Sequence, residues 1–329
     1  MSAIKLVALR QVYHDGNHNA FTDLCRFGDD YYLTFRSCPQ GHMIFSSSRI
    51  VILRSPDGQT WTEIHSFSVP DRDVRDPHFL VFQEKLFIYT GTWPVDPADS
   101  HKMDQNNHLG FAVWSTDGTN WSAPQALAGT HGYYIWRAAT TGGVAYLNGR
   151  CIRDFVTPAN NAEERALMQS WLLQSSDGLT WTPAALMLAS YGDETAFLFA
   201  HDGGVTALVR TEAGRPAELC RSAPPYQAWT RTTLDSAVGG PLLARWGERY
   251  LVGGRKSVDR SRPVTALYWL VDDALVEALE LPSGGDTSYP GFVQTAPDRA
   301  LLSYYSSHEG SGTSLPPCHI YLAELQLLA

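Results

Sequence analysis

One seven-residue segment occurs three times at intervals of 60 residues, and it restricts the possible folds more than any other feature of the chain. The copies are Ser55–Trp61, Ser115–Trp121 and Ser175–Trp181, and each follows a short apolar stretch. A fixed long period is typical of folds built from repeated supersecondary units. Each copy contains Asp-Gly: the carboxylate can accept hydrogen bonds from the next backbone amides, and glycine tolerates positive φ. We therefore expect a structural turn between two strands.

A second periodic feature marks where each unit begins. Short polar or small segments lead directly into apolar strands at about residues 19, 76, 136, 194, 240 and 289, which gives gaps of 46 to 60 residues. That spacing suits a four-stranded blade of a β-propeller. The pattern predicts an all-β chain folded as a six-bladed β-propeller, in a single domain over residues 1–329. A five-bladed propeller is the alternative, if the first and last segments share one blade.

Two further segments complete the expected architecture. The strand pattern at Lys5–Val12 predicts a strand that pairs into the last blade, so that no edge is left exposed. The segment Asn160–Met168 is the only helix-like stretch, and we expect one or two turns there.

The composition argues against some classes of partner and compartment. The formal net charge is −9, which argues against a nucleic acid or an anionic membrane as the main partner. There is no run of 18 apolar residues and no leader-like N-terminus, and the five scattered cysteines suit reduced thiols. We expect a cytoplasmic protein without a cofactor, and we assign no metal ligands. The sequence leaves open the oligomeric state and whether a metal ion sits at the central channel.

Arginines occur where the blades of a propeller would present side chains to one central mouth. They are Arg36, Arg75, Arg210 and Arg255, at strand starts or at the ends of second strands. Several guanidinium groups around one pocket indicate an anionic ligand, because each can bind a carboxylate with two hydrogen bonds. The alternative is local pairing with neighbouring acidic residues, such as Asp76 beside Arg75.

The repeated turn resembles the Asp box of sialidases, and the six-unit arrangement is similar to the sialidase-like, Asp-box or BNR-repeat, propellers. The later units strengthen this resemblance, with residues in the family's order: Glu194, Arg210, Arg255, Tyr289 and Glu309. The resemblance implies that the two arginines bind a sugar carboxylate, that Glu194 accepts the proton of a nucleophilic tyrosine, and that Glu309 supports the site. A phenol, with a pKa of about 10, needs such a base to become a nucleophile.

The chain departs from that family pattern in its first blade. The segment that starts at His18 contains no arginine, so Arg36 on the next strand is the substitute candidate. The family's acidic aspartate also has no counterpart, and His42 or Asp76 is the candidate general acid, the histidine because its ordinary pKa lies near neutrality. Asp and Gly adjoin in the turn, whereas the usual box separates them.

Three functions of different classes follow. The favoured one is an exo-acting glycoside hydrolase that removes a terminal acidic sugar, with Tyr289 as nucleophile. The first alternative is a lyase acting on a uronate, in which Tyr and His move protons while arginines neutralise the carboxylate. The second is a glycan-binding propeller without catalysis. In each case the expected partner is a carbohydrate, and an anionic one for the enzymes.

Overall fold

The computed structural model describes residues 3–96, 104–257 and 262–328. Within these ranges the strands form six four-stranded antiparallel sheets, the architecture of a six-bladed β-propeller. Blade 1 contains β2 (His18–Phe27), β3 (Asp30–Cys38), β4 (Arg49–Ser55) and β5 (Thr62–Phe67). Blade 2 contains β6 (Arg72–Phe82), β7 (Lys85–Pro94), β8 (Leu109–Ser115) and β9 (Gln125–Ala126). Blade 3 contains β10 (Tyr134–Thr141), β11 (Val144–Ile152), β12 (Met168–Ser175) and β13 (Thr182–Leu188).

The remaining blades follow the same order. Blade 4 contains β14 (Gly192–Phe199), β15 (Val205–Thr211), β16 (Glu218–Ser222) and β17 (Trp229–Thr233). Blade 5 contains β18 (Gly239–Trp246), β19 (Arg249–Ser257), β20 (Pro263–Val271) and β21 (Ala274–Glu280). Blade 6 contains β22 (Thr287–Ala296), β23 (Arg299–Ser306), β24 (His319–Leu327) and, as its outermost strand, β1 (Ile4–Tyr13). The six-blade prediction is confirmed, and the five-blade alternative is wrong because blades 1 and 6 are separate sheets.

The sixth sheet is completed by the earliest strand of the chain. β1 pairs antiparallel with β24, from Ile4 opposite Leu327 to Tyr13 opposite Ile320. The predicted pairing of this segment into the last blade is therefore confirmed. β24 is consequently an interior strand of its sheet, with β23 on its other side.

The contacts divide the chain into two compact units. The first unit comprises residues 1–68, 75–77 and 238–329, and the second comprises residues 69–74 and 78–237. In the first unit, one core cluster packs Trp246, Trp269, Tyr304 and Tyr321 between blades 5 and 6. In the second, Phe87, Tyr89 and Trp181 lie in a core cluster shared by blades 2 and 3, while Phe197 and Tyr226 lie in one shared by blades 3 and 4.

The three repeated turns have the expected geometry. In the second copy, Asp117 Oδ1 accepts hydrogen bonds from the backbone amides of Thr119 and Asn120, both at 2.8 Å. Ser115 Oγ accepts one from the amide of Gly118, whose φ is +70°. The same bonds recur in the first and third copies. Each turn follows the third strand of its blade, so it is a structural corner.

The first strand of five blades carries a bulge close to its start. The register with the second strand shifts there, which leaves two residues out of the regular ladder. Bulges bend a strand and redirect its side chains, and they are common beside functional sites. The bulge pairs are Phe21–Thr22, Trp136–Arg137, Asp193–Glu194, Gly240–Pro241 and Tyr289–Pro290.

The structure also contains the predicted short helix and the predicted reduced cysteines. The helix α1 spans Asn161–Leu167, and the side chain of Asn160 caps its first turn. All five cysteines are free thiols. None of the helices in the described ranges has the length and hydrophobicity needed to cross a bilayer.

Candidate functional site

A buried carboxylate, Asp286, organises the candidate site in the first unit. It lies immediately before β22, and only 9% of the residue is exposed. One oxygen, Oδ2, accepts hydrogen bonds from His18 Nε2 at 2.9 Å and His42 Nδ1 at 2.6 Å. The other, Oδ1, accepts from Tyr305 Oη at 2.8 Å and lies 3.8 Å from Arg255 Nη1. Four side chains from blades 1, 5 and 6 therefore converge on one acidic group.

The electrostatics of this cluster fix the proton positions. Burial alone would raise the pKa of the Asp286 carboxyl, but His42 and His18 outweigh it and hold the pKa well below its usual range. The group is therefore a carboxylate, which only accepts hydrogen bonds, so both facing imidazole nitrogens carry hydrogens. Burial lowers the pKa of His18 despite the nearby carboxylate, and it raises the pKa of Tyr305 well above its usual value. These two side chains are neutral donors.

His42 is the member of the cluster that reaches solvent. Its side chain is 30% exposed, whereas the side chain of His18 is fully buried. The imidazole packs edge-on against Phe21, with 5.2 Å between ring centroids, and Arg75 lies over the same phenyl ring at 5.2 Å. Arg75 also donates to the backbone carbonyl of His42. The ring is thus oriented on one side by Asp286 and remains accessible on another.

Arg36 lies on the second strand of blade 1, as expected, and contacts the loop that follows this strand. It is fully buried in β3, and its guanidinium donates to the carbonyls of Gly41 at 2.9 Å and Met43 at 2.8 Å. Those carbonyls flank His42, so Arg36 fixes the loop that carries the histidine. Its predicted contact with a substrate stays a prediction, and its observed contacts support a positioning role.

Tyr289 lies in the bulge of blade 6 with an unusual backbone. Its φ is +54°, the φ of the preceding Ser288 is +118°, and the residue is 5% exposed. Non-glycine residues at positive φ persist only where the surroundings hold them, often at functional sites. Thr22 Oγ1 donates to the Tyr289 carbonyl at 2.7 Å, and the ring packs 4.9 Å from that of Phe21. The tyrosine is therefore held against the same phenyl ring as His42.

Two other predicted site residues are not among the described contacts of Asp286. Glu309 is exposed and accepts a hydrogen bond from Tyr321 Oη at 2.7 Å. Asp76 is 4% exposed at a φ of +52° in β6. Neither residue hydrogen-bonds directly to His42, Asp286 or Tyr305 among the bonds described above, so their predicted roles stay predictions.

Asp286 and the two histidines also have the spacing of metal ligands. Among the described residues, the ligand atoms of His18, His42 and Asp286 all lie within 4.8 Å of one another. Two histidines and a carboxylate are a common ligand set for divalent transition metals. However, Arg255 lies 3.8 Å from the carboxylate, and Tyr305 also donates to it. A positive charge beside the ligands opposes a cation, so we interpret the cluster as a hydrogen-bonded network.

The predicted residues of blade 4 form an ionic cluster in the second unit. Glu194 is 6% exposed and binds Arg210 Nη1 at 2.8 Å, and Asp193 binds Arg150 Nη1 at 2.6 Å. Arg210 also lies 3.5 Å from Asp193. The alternative of local pairing therefore describes Arg210 well. The predicted roles of Glu194 as base and of Arg210 as carboxylate ligand stay predictions.

Sequence reasoning assigned no catalytic or binding role to Asp286, His18 or Tyr305. Each is a common residue type in a strand start or strand end, and no local motif distinguishes it. The signal that could have found them is positional: the segment from Gly284 to Tyr289 is dense in turn-forming residues and presents Asp286 just before a bulge.

Comparison with known proteins shows which solved structures have a similar fold. No protein-family model and no curated protein matches the chain. A protein of unknown function from Dyadobacter fermentans is similar over 99% of this chain and 100% of its own, with a TM-score of 0.81 and 20% identity. The NanB sialidase of Streptococcus pneumoniae, as its K499G mutant, matches 96% of this chain and 71% of its own, with a TM-score of 0.71 and 11% identity. A Trypanosoma rangeli sialidase matches 94% of this chain and 55% of its own, with a TM-score of 0.65 and 12% identity.

These similarities extend over nearly the whole chain, but the identities are too low to transfer an activity. They agree with the six sheets, the repeated turns and the order of the strands described above. The chain therefore has the sialidase-like six-bladed β-propeller fold.

Proposed function

We propose that the protein is a glycoside hydrolase that acts on an acidic sugar, with His42 as its general acid and base. The observation that carries the proposal is the 2.6 Å hydrogen bond from His42 Nδ1 to Asp286, on a histidine whose side chain is 30% exposed. A carboxylate that accepts from one imidazole nitrogen fixes the tautomer and leaves the other nitrogen available for proton transfer.

The proton balance of the reaction is simple. As the glycosidic C–O bond breaks, His42 gives a proton to the leaving oxygen. Water then supplies a hydroxyl group to the sugar and returns a proton to His42. Asp286 stabilises the positively charged imidazole, and a proton transfer of this kind contributes ~100-fold to 10,000-fold in rate.

An acidic substrate is supported by the charges near this histidine. Arg255 is 24% exposed on the far side of Asp286, and Arg75 lies over Phe21, which also contacts the imidazole. A guanidinium group binds a carboxylate with two parallel hydrogen bonds. The sialidase names of the similar structures are consistent with such a substrate. The predicted role of Tyr289 as nucleophile stays a prediction, because the proton balance above describes direct attack by water.

The test is a screen of chromogenic sialosides, glucuronides and galacturonides, together with polyuronates, using the wild-type protein and the variants His42→Gln and His201→Gln. His201 is an exposed histidine of blade 4 and serves as the matched control. We expect release of the chromogenic aglycone, a loss of ~100-fold or more in kcat for His42→Gln, and no loss for His201→Gln. Equal kcat values for the two variants would refute the role of His42.

The lyase alternative gives a different product. Elimination creates a carbon–carbon double bond conjugated to the uronate carboxylate, which absorbs in the ultraviolet, whereas hydrolysis does not. An increase in ultraviolet absorbance on a polyuronate that depends on His42 would replace the hydrolase proposal with the lyase.

A further inference from the structure

A polar pocket in the second unit shares no lining residue with the Asp286 cluster and has no part in the reaction proposed above. Its volume is about 500 Å³, which lies within the range of small-molecule sites. The helix α1 and the 3-10 turn Gln105–Asn107 form two of its sides. Its lining includes Trp93, Gln105, Arg150, Glu164, Arg165 and Glu212.

Two buried polar atoms of this lining have no hydrogen-bond partner within the described chain. They are Arg150 Nε and Gln105 Oε1, and Arg150 is only 9% exposed. A buried polar group without a partner is destabilising by ~1–3 kcal/mol, so native proteins rarely leave one unsatisfied. One such donor and one such acceptor beside the same pocket are groups that a bound polar molecule would satisfy.

Glu212, which lines the pocket, and the buried Asp193 form a pair of carboxyl groups that differ in protonation. Burial and the adjacent Asp193 carboxylate raise the pKa of Glu212 to about 7, and Glu212 donates a hydrogen bond to that carboxylate. Burial would also raise the pKa of Asp193, but Arg150 and Arg210 outweigh it and hold this pKa well below its usual value. Arg165 of α1 lies 3.5 Å from Glu212 on the open side.

The charges around Glu212 nearly cancel while its carboxyl is protonated. Arg150, Arg165 and Arg210 are balanced by Asp193, Glu194 and Glu164. Such a pocket does not favour a strongly charged ligand. It offers hydrogen-bonding amide, guanidinium and carboxyl groups beside the indole of Trp93, a combination that suits the hydroxyl groups and apolar faces of a sugar.

We propose that this pocket binds a neutral sugar residue of a glycan. Loss of the Glu212 proton would put an uncompensated negative charge in the pocket and remove the hydrogen bond to Asp193, so binding should weaken as the pH rises. The site does not require hydrolysis at Asp286 and His42, so it stands if the proposed reaction fails.

The experiment measures binding in the His42→Gln protein, so that turnover does not interfere. The protein is applied to an array of neutral and acidic oligosaccharides at pH 6 and pH 8, and the strongest neutral binder is titrated by calorimetry. We expect binding to neutral glycans that weakens several-fold at pH 8. Gln105→Ala should weaken binding by about tenfold, the effect of one lost hydrogen bond.

Glu212→Gln distinguishes a pH-dependent site from a merely polar one, because the amide keeps a donor and does not titrate. It should bind equally at both pH values. The control Glu218→Gln changes a glutamate of β16 that accepts a hydrogen bond from Thr233 and is not among the pocket residues named above. This control should bind neutral glycans with the same affinity and the same pH dependence as the His42→Gln protein. Failure to bind any neutral glycan, or binding that neither Gln105→Ala nor Glu212→Gln alters, would overturn the proposal.

Discussion

At the scale of single residues, the site depends on which charged groups are enclosed and which remain accessible. Arg36 and Arg255 illustrate the difference, since the first is fully buried and the second is 24% exposed. An enclosed guanidinium that binds backbone carbonyls holds the fold together. A partly exposed guanidinium beside a carboxylate remains accessible to a ligand as well.

This difference predicts opposite effects for two matched substitutions. Arg36→Ala removes two charge-assisted bonds to the loop around His42 and should destabilise the protein by about 3–6 kcal/mol, at ~1.5–3 kcal/mol for each bond to a charged group. Arg255→Ala should change the free energy of unfolding by less than ~1 kcal/mol but raise KM for an acidic substrate. Urea unfolding and steady-state kinetics measure the two effects. If Arg36→Ala instead raised KM without destabilising the protein, the predicted contact of Arg36 with the substrate would be supported.

His18 predicts how stability depends on pH. Burial lowers its pKa in the folded protein below the value of about 6.5 in the unfolded chain. Below pH 6.5 the unfolded chain therefore binds a proton that the folded protein does not, and stability falls as the pH falls, by at most about 1.4 kcal/mol per pH unit. Above that pH this contribution is fully present.

The measurement is urea unfolding between pH 5 and pH 8. His18→Gln keeps a donor facing Asp286 and should reduce the acid-side slope, while the exposed-site control His201→Gln should leave it unchanged. An unaltered slope in His18→Gln would show that His18 remains protonated on folding.

At the scale of elements, the bulges decide where functional side chains point. The repeated spacing was sufficient to predict the blades and the start of each first strand, because each sheet repeats the same order of strands and turns along the chain. It could not predict Asp286, because its role arises from a local change of register and from partners in blades 1 and 5. Glu309 shows the converse, since its order in the chain matched a family pattern while its hydrogen bond goes to Tyr321.

The bulge of blade 5 predicts an effect on Tyr289. A Cβ atom at Gly240, where φ is +56°, would lie 2.4 Å from the Tyr289 ring. Gly240→Ala should therefore displace that ring, destabilise the protein by ~2 kcal/mol or more, and reduce activity. Gly247 in the same blade has a φ of +61° and nothing within 4 Å of its added Cβ, so Gly247→Ala should be destabilising by only about 1 kcal/mol.

Thermal unfolding and turnover of the two glycine variants separate backbone strain from the contact with Tyr289. Equal losses of stability and activity in both variants would indicate that the ring is not held by Gly240.

At the scale of the whole molecule, blade 6 depends on the pairing of β1 with β24. Ile4 is buried in the core between blades 5 and 6, and Leu6 and Leu9 pack against it. Deleting residues 1–13 should destabilise the protein by about 4 kcal/mol or more, at ~1.5 kcal/mol for each of three apolar side chains, and expose β24 as an edge prone to aggregation. Calorimetry and light scattering measure both effects. A deletion variant that stays monomeric with an unchanged Tm would contradict this account.

The distance along the chain between these two partners has a consequence for biosynthesis. Arg10 in β1 and its ion-pair partner Glu324 in β24 are separated by 314 positions. β1 is therefore translated long before its partner strand, and its hydrogen-bonding groups wait for that partner until β24 has been made. Chaperones that shield such a waiting segment would raise the yield of active protein without altering its final stability.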